Sequence, residues 1–521
     1  MQKRLFNIAG PCNSNDHYMI DAMRRLGDET LLMIDRREFF LIHAARQTGK
    51  TTFLLDLANH INNAGKYYAV YCSLENAESL TEPEKGITAI INVIQTELMD
   101  KHIANAYLFT KGWNTDDPFN AILQCFRAFC AIIDKPLVLL FDEADCLSGR
   151  TLISFLRQLR NGYVTRSMYP FIHSLALVGM RNIRDYKAEY RNPEQSLGSA
   201  SPFNIVSAYM TLRNFTHSEI GELYAQHTAD TGQKFFDDAV SLVWEQTQGQ
   251  PWLVNAIARE ITMNINPDPE NAVNTEMVSE AIQKITLRRD THFDSMMARL
   301  SEDRVRRIIE PIIIGKEAAI SRFSDDYSYV KDIGLIRDDR GKKEPANPIY
   351  GELIIRTLNQ DAQDEIEQGD YIETVSKYIQ NDIIDIDGLL CDFQIFWREN
   401  GDIWQKKYDY QEAAPHLVLQ AFLQRIINGG GQIVREMAAA TGRIDLCAIY
   451  KDRKYPIELK IRRAEKTYAE GVAQTARYMD TLGCGRGWLV IFDQRGDTPW
   501  SERLFQKSET VDDKTITVFG C

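Results

Sequence analysis

The sequence predicts an α/β protein in two parts: a parallel sheet with a helical lid and a winged helix, then a second, smaller α/β domain. Three observations carry this. Short apolar runs at Phe39–Ala44, Leu137–Phe141 and Ser174–Met180 each lie between helix-like stretches, which is the pattern of buried parallel strands. Residues 216–290 show no comparable run and place Val240, Leu242, Val243, Trp252, Leu253, Ala256 and Ile257 at helical spacing. From Gln432 onward strand-like and helix-like segments alternate again.

Taken in order, Tyr67–Leu74 (YYAVYCSL) fits a further strand of the first sheet, and the 216–290 stretch reads as its helical lid. A helix around Val305–Ile314 and short apolar segments at Gly334–Ile336 and Pro345–Ile355 fit a winged-helix module. Residues 361–400 hold 11 acidic and 2 basic side chains, a net of −9, whereas 401–521 hold 16 acidic and 18 basic, a net of +2. The acidic block therefore separates two differently charged bodies. It also contains Leu389, Leu390, Phe393, Phe396 and Trp397, which need something to pack against. The second domain reads as a hairpin, Gln432–Ala438 and Arg443–Tyr450, then a strand at Pro456–Ile461, a helix at Ala464–Leu482 and a strand at Gly487–Phe492.

A chain of 521 residues exceeds one domain at ~150 residues each. With 44% apolar and 26% charged residues it has a soluble globular composition, and no segment approaches the ~20 consecutive apolar residues of a membrane helix. The opening MQKRLFNIAG lacks a signal-peptide core, so the cytoplasm is the expected location and no membrane partner is expected. Nine cysteines are scattered singly, which argues against a zinc site. The net charge of −13 gives no global attraction to nucleic acid, so any such contact has to be local.

Strand Phe39–Ala44 runs directly into Ala45-Arg46-Gln47-Thr48-Gly49-Lys50-Thr51-Thr52 and an apolar-periodic helix, the order a phosphate cradle needs. Backbone N–H groups along Ala44, Gln47, Thr48, Gly49 and Thr52 would face phosphates, Lys50 would neutralise the β and γ oxygens, and Thr51 would offer its hydroxyl to Mg²⁺. Ala44 stands where the usual pattern has its first glycine. Strand Leu137–Phe141 ends in Asp142-Glu143, at the strand edge where open α/β sheets bind ligands. Asp142 would hold Mg²⁺ and Glu143 would orient or deprotonate the attacking water.

Over roughly residues 1–360 these motifs resemble the P-loop ATPases with a catalytic glutamate, and within them the STAND-related and archaeal-type AAA-like group. The resemblance implies ATP and Mg²⁺ as cofactors. It makes Arg181, after the Ser174–Met180 strand, a sensor for the γ-phosphate. It makes Pro251, in Gly249-Gln250-Pro251, a contact to adenine. It is also compatible with a homo-oligomer driven by nucleotide.

The second domain carries an acid on one strand, Asp445, and an acid-x-lysine, Glu458 and Lys460, on the next. Side chains two apart on a strand share a face. If the hairpin turns tightly at Lys451-Asp452, Asp445 lies opposite Glu458 and the two carboxylates can share one Mg²⁺, with Lys460 placing the nucleophile or neutralising charge. Gln474 and Tyr478 lie four apart on the following helix, hence on one face. This D-x12-E-x-K and QxxxY pattern resembles the PD-(D/E)XK nuclease superfamily over about residues 405–495, with Ile444 where the superfamily's proline stands. The superfamily's additional glutamate on its first helix is matched by Glu412, with Glu436 as the competitor.

Together these resemblances imply an ATPase core (1–215), helical lid (216–295), winged-helix-like segment (296–360), acidic helical connector (361–404) and nuclease-like domain (405–521). The expected activity is ATP hydrolysis coupled to Mg²⁺-dependent cleavage of nucleic acid, with DNA the expected substrate and bacterial defence or mobile elements the expected setting. The rival is a nucleotide-controlled switch or scaffold whose C-terminal domain binds nucleic acid or a partner without cutting it.

Overall fold

A computed structural model describes all residues but 1–3, 114–116, 180–205, 289–290, 314–319, 322–323, 340, 356, 359–377, 381–382, 408–414, 417, 421, 424–430, 440–441, 452, 463–465, 494 and 496–497. The chain divides into two compact units. One comprises Met1–Ser295, Ser321–Asp339 and Pro345–Tyr350; the other comprises Met296–Ile320, Arg340–Glu344 and Gly351–Cys521.

The first unit is built on β1 (Phe39–His43), β2 (Tyr68–Ser73), β3 (Leu137–Asp142), β4 (Ser174–Gly179) and β5 (Val206–Thr211), in the order β2-β3-β4-β1-β5, every pair parallel. Period-two alternation makes both faces apolar. Phe39, Leu41, Val70, Leu139, Phe141 and Leu177 pack beneath α3 (Pro83–Asp100), α4 (Ala121–Cys130) and α5 (Gly149–Thr165). Phe40, Ile42, Ala69, Val138, Leu140 and Val178 face α1 (Gly27–Asp35) and α2 (Lys50–Ala64). Because both faces are covered, β1, β3 and β4 read as unbroken apolar runs in the sequence. β5 was not expected: its residues alternate between half-buried and exposed, as suits a strand paired on one edge alone.

Residues 216–290 hold α6 (His217–Thr231), α7 (Asp237–Thr247), α8 (Pro251–Glu260) and α9 (Thr275–Leu287), helices that their periodicity predicts. Thr216 and Glu219 form a reciprocal capping box that starts α6. Beyond α9 come α10 (Thr291–Arg299), α11 (Asp303–Ile313), α12 (Asp325–Asp332), β6 (Ile336–Asp339) and β7 (Lys342–Pro345). The segment expected as one winged-helix-like module, 296–360, is divided between the two units.

In the second unit β8 (Ile379–Gln380) and β9 (Ile383–Ile384) precede α13 (Ile386–Lys407). A six-stranded sheet follows: β10 (Gly431–Ala439), β11 (Gly442–Tyr450), β12 (Arg453–Arg462), β13 (Arg486–Asp493), β14 (Phe505–Val511) and β15 (Lys514–Gly520), in the order β10-β11-β12-β13-β15-β14, with α14 (Thr467–Leu482) between β12 and β13. The boundary expected at residue 405 falls inside α13, which belongs to this sheet. The Trp397 ring meets Phe492 edge-on at 5.1 Å between centroids, and Gln394 Nε2 donates to Phe505 O at 3.0 Å and Gly520 O at 2.6 Å. Phe393 and Trp397 of the acidic block both meet Phe492 of this sheet edge-on. Among the described residues no helix is long and apolar enough to cross a membrane.

Candidate functional site

β1 delivers the chain to the loop that precedes α2. Gln47 (φ 57°) and Gly49 (φ 86°) turn left-handed there, and no side chain caps the N-terminus of α2. The first N–H groups of α2 therefore stay open to an anion at the positive end of the helix. Lys50 is buried and its Nζ donates to Ala44 O and Ala45 O, both at 3.0 Å. Burial pulls its pKa down, while Glu143 and Asp142 pull the other way. Thr48 closes the loop from within, Oγ1 donating to Ala45 O at 2.8 Å, and Thr52 Oγ1 accepts from Cys12 N–H at 3.0 Å.

β4 lies between β1 and β3, yet the ends of the P-loop helix and of β3 meet. Thr51 Oγ1 donates to Asp142 Oδ2 at 2.6 Å. Asp142 is fully buried and also accepts from Tyr71 O–H at 3.3 Å and from Glu143 N–H at 3.0 Å. Glu143 adopts φ 54°, in a left-handed turn at the strand's end. Its carboxyl pKa is raised, by burial first and by Asp142 second, against the pull of Lys50. That direction suits a proton acceptor working near neutrality. The pairing of a hydroxyl with a buried carboxylate next to an uncapped helix N-terminus fits Mg²⁺ bound beside phosphate.

Pro251 opens α8 and is buried, and the neighbouring Gln250 reaches the loop. Its Nε2 lies 3.4 Å from Gln47 O, and its Oε1 caps Leu253 N–H at 2.6 Å. Arg181 lies outside the described residues, so its sensor role rests on sequence alone. Two residues were missed. Tyr71 shares a strand face with Ser73, whose partner is Asp142, so strand phase alone could have found it. Arg25 gave no sequence signal. Its guanidinium is buried beside Gly49, donating to Thr48 O and Arg213 O at 2.7 Å each, and burial followed by Arg213 lowers its pKa to about 9.

In the second unit the tight hairpin is present: Tyr450 pairs with Arg453 and Leu446 with Ile457, so Asp445 falls opposite Glu458. Asp445 Oδ2 accepts from Leu459 N–H at 2.9 Å. Glu458 is fully buried, and Lys460 Nζ donates to its Oε1 at 2.6 Å. Glu458 Oε2 is buried with no hydrogen-bond partner. Burial, then Asp445, raises the Glu458 pKa to about 8, and Lys460 does not outweigh them. Lys460 is itself desolvated, yet Glu458 and Asp445 hold it charged.

α14 covers this face of the sheet. Gln474 Nε2 donates to Tyr478 O–H at 2.9 Å, and Tyr478 is buried close enough to Lys460 to favour its charge. Gln474 thus joins the cluster through Tyr478. Among the described residues no three His, Cys, Asp or Glu side chains form a ready metal cage. The two carboxylates and the orphaned Glu458 oxygen nonetheless fit a divalent cation, because a buried unpaired acceptor is costly until something occupies it. Glu412 lies outside the described residues. Glu436 sits in β10 between Arg435, paired with Leu446, and Met437, paired with Ile444, which puts it at the register position opposite Asp445.

The parallel sheet, the loop before α2 and the acid at the end of β3 define a P-loop ATPase fold. Residues 32–353 match the AAA-like domain family, and the chain belongs to that family. None of the curated proteins matches it. Solved structures similar to it include the Walker-type ATPase of Pyrococcus abyssi (13% identity, 67% of this chain and 99% of that one, TM-score 0.45). The Holliday junction branch migration motor RuvB of Thermotoga maritima (12%, 64% and 93%, TM-score 0.34) and Cdc6p of Pyrobaculum aerophilum (14%, 65% and 94%, TM-score 0.36) are also similar.

Proposed function

We propose that the chain hydrolyses ATP at the P-loop and uses its C-terminal sheet for Mg²⁺-dependent cleavage of DNA. At the first site Lys50 leaves the loop carbonyls to neutralise the β and γ phosphates, Thr51 and Asp142 are the residues that would hold Mg²⁺, and Glu143 takes a proton from the attacking water. At the second site Asp445 and Glu458 are the residues that would hold the cation. When bound, it supplies charge stabilisation and an acidified water. Lys460 neutralises the phosphate as charge builds on it, and Gln474 keeps Tyr478 directed along the same face. Nucleotide-driven self-association and a part in bacterial defence or mobile-element biology accord with this reading.

The observation that carries it is the fully buried Glu458, hydrogen-bonded to Lys460 and opposite Asp445, with one carboxylate oxygen left without a partner. An exposed salt-bridged strand would leave neither atom dry. Purified protein given plasmid DNA, Mg²⁺ and ATP is expected to nick it. Asp445→Ala is expected to keep ATP turnover and lose nicking, and Glu143→Gln to lose turnover. ATP turnover without nicking by the wild type would instead support a nucleotide-controlled switch or scaffold.

A further inference from the structure

One cation on the face of the second site has no role in that scheme. β12 places Glu458, Lys460 and Arg462 at alternate positions, so the three leave the same side of the sheet. It is the side under α14, since a Cβ built at Gly471 would lie 3.3 Å from Lys460 Cγ. Arg462 ends the row, ~7 Å beyond Lys460 along the strand.

Its parallel neighbour is Asp493, but Nη1 comes only to 3.9 Å from Oδ2, outside hydrogen-bond range. Asp493 is already engaged by Arg495, whose Nε reaches Oδ1 at 2.9 Å and whose Nη2 reaches Oδ2 at 2.6 Å. Two guanidinium groups thus share one carboxylate. Arg462 Nε is buried without a hydrogen-bond partner, while 19% of the side chain remains exposed. A purely structural arginine at a strand end would satisfy its donors on the protein. Here, among the described residues, Nε has no partner and Nη1 has only the long contact to Asp493.

We propose that Arg462 anchors a DNA phosphate next to the one being cleaved, a role that rests on the nuclease reading above. A guanidinium presents a planar fork that matches two phosphate oxygens, and its span beyond Lys460 reaches the neighbouring phosphate of the same strand. Half-burial strengthens the contact, because the group has little hydration left to lose. Arg462 is a positioning residue in this scheme: it sets the register of the strand over Asp445 and Glu458 and takes no part in proton transfer.

The test uses the full chain. Wild type, Arg462→Gln, Arg462→Lys and Asp445→Ala are titrated with a fluorescein-labelled DNA duplex in Ca²⁺ buffer across several salt concentrations, with plasmid nicking in Mg²⁺ and thermal melting measured alongside. Arg462→Gln is expected to raise Kd about tenfold and to reduce the slope of log K against log salt by about one. Arg462→Lys is expected to keep the slope and lose part of the affinity. Asp445→Ala is expected to bind at least as tightly as wild type and not nick. Wild-type affinity and slope in Arg462→Gln, beside a wild type that binds and nicks, would overturn the anchor alone. Early melting with an unchanged slope would mark a strand tie and also overturn it. A wild type that neither binds nor nicks would overturn the nuclease reading, and the anchor with it.

Discussion

The Thr51 hydroxyl donates to Asp142 Oδ2 at 2.6 Å, joining the first turn of α2 to the end of β3 past the intervening β4. The same carboxylate oxygen takes the Tyr71 hydroxyl at 3.3 Å. Asp142→Ala would take the acceptor from both half-buried donors, and losing a buried partner costs ~1–3 kcal/mol. Urea denaturation is expected to show that loss together with abolished ATP turnover. Asp142→Asn keeps an acceptor oxygen, so it is expected to spare most of the stability and still lose turnover.

Lys50 is held by two loop carbonyls, and its burial makes charge costly there without an anion. Saturating ATP is therefore expected to stabilise the wild type by ~2.7 kcal/mol at a hundredfold excess over Kd. Lys50→Ala is expected to show no such gain at the same ATP concentration. Thermal melts with and without nucleotide decide it, and they need no turnover.

The buried Glu458 makes stability depend on pH. Its carboxyl titrates at about 8 in the fold against 4.5 unperturbed, so between those values the native state holds a proton that the unfolded chain has released. The contribution is complete below 4.5 and is lost as pH rises to about 8. Glu458→Gln removes this dependence. Urea midpoints at the two ends of that interval should converge in the variant relative to wild type, and the variant should be the more stable at the upper end.

Gly249 precedes α8 at φ +72°, and a Cβ there would lie 1.9 Å from Phe215 O. Gly65 closes α2 at φ +74° with nothing within 4 Å. Gly65→Ala is expected to cost only the left-handed penalty of ~1–2 kcal/mol. Gly249→Ala is expected to cost clearly more, because Phe215 N–H also bonds Gly249 O at 2.9 Å and the backbone cannot withdraw. A pair of calorimetric melts compares them.

Much of this protein was legible in the chain itself. β1, β3 and β4 are covered on both faces, so their residues form unbroken apolar runs, and the helices of residues 216–290 carry a 3.6-residue period. The loop Ala44–Thr52 and the Asp142-Glu143 pair are local motifs whose chemistry depends on adjacent residues. The edge strands β5 and β14 were not legible, whereas β15 carries a mostly apolar stretch, Ile516–Phe519, that went unread. β5 and β14 expose much of their length, and exposure erases the apolar signature.

Tertiary structure decided whatever depends on residues far apart. The number of residues in the hairpin turn set Asp445 opposite Glu458, a one-residue slip being enough to send a side chain to the other face. Packing on the sheet joins α13, at the end of the acidic segment, to the C-terminal unit, and folding alone brought Arg25 beneath Gly49 and left Arg462 sharing Asp493 with Arg495. Motifs survive in sequence because covalent neighbours make them. Desolvation and charge sharing do not, because they are properties of surroundings that exist only once the chain has folded.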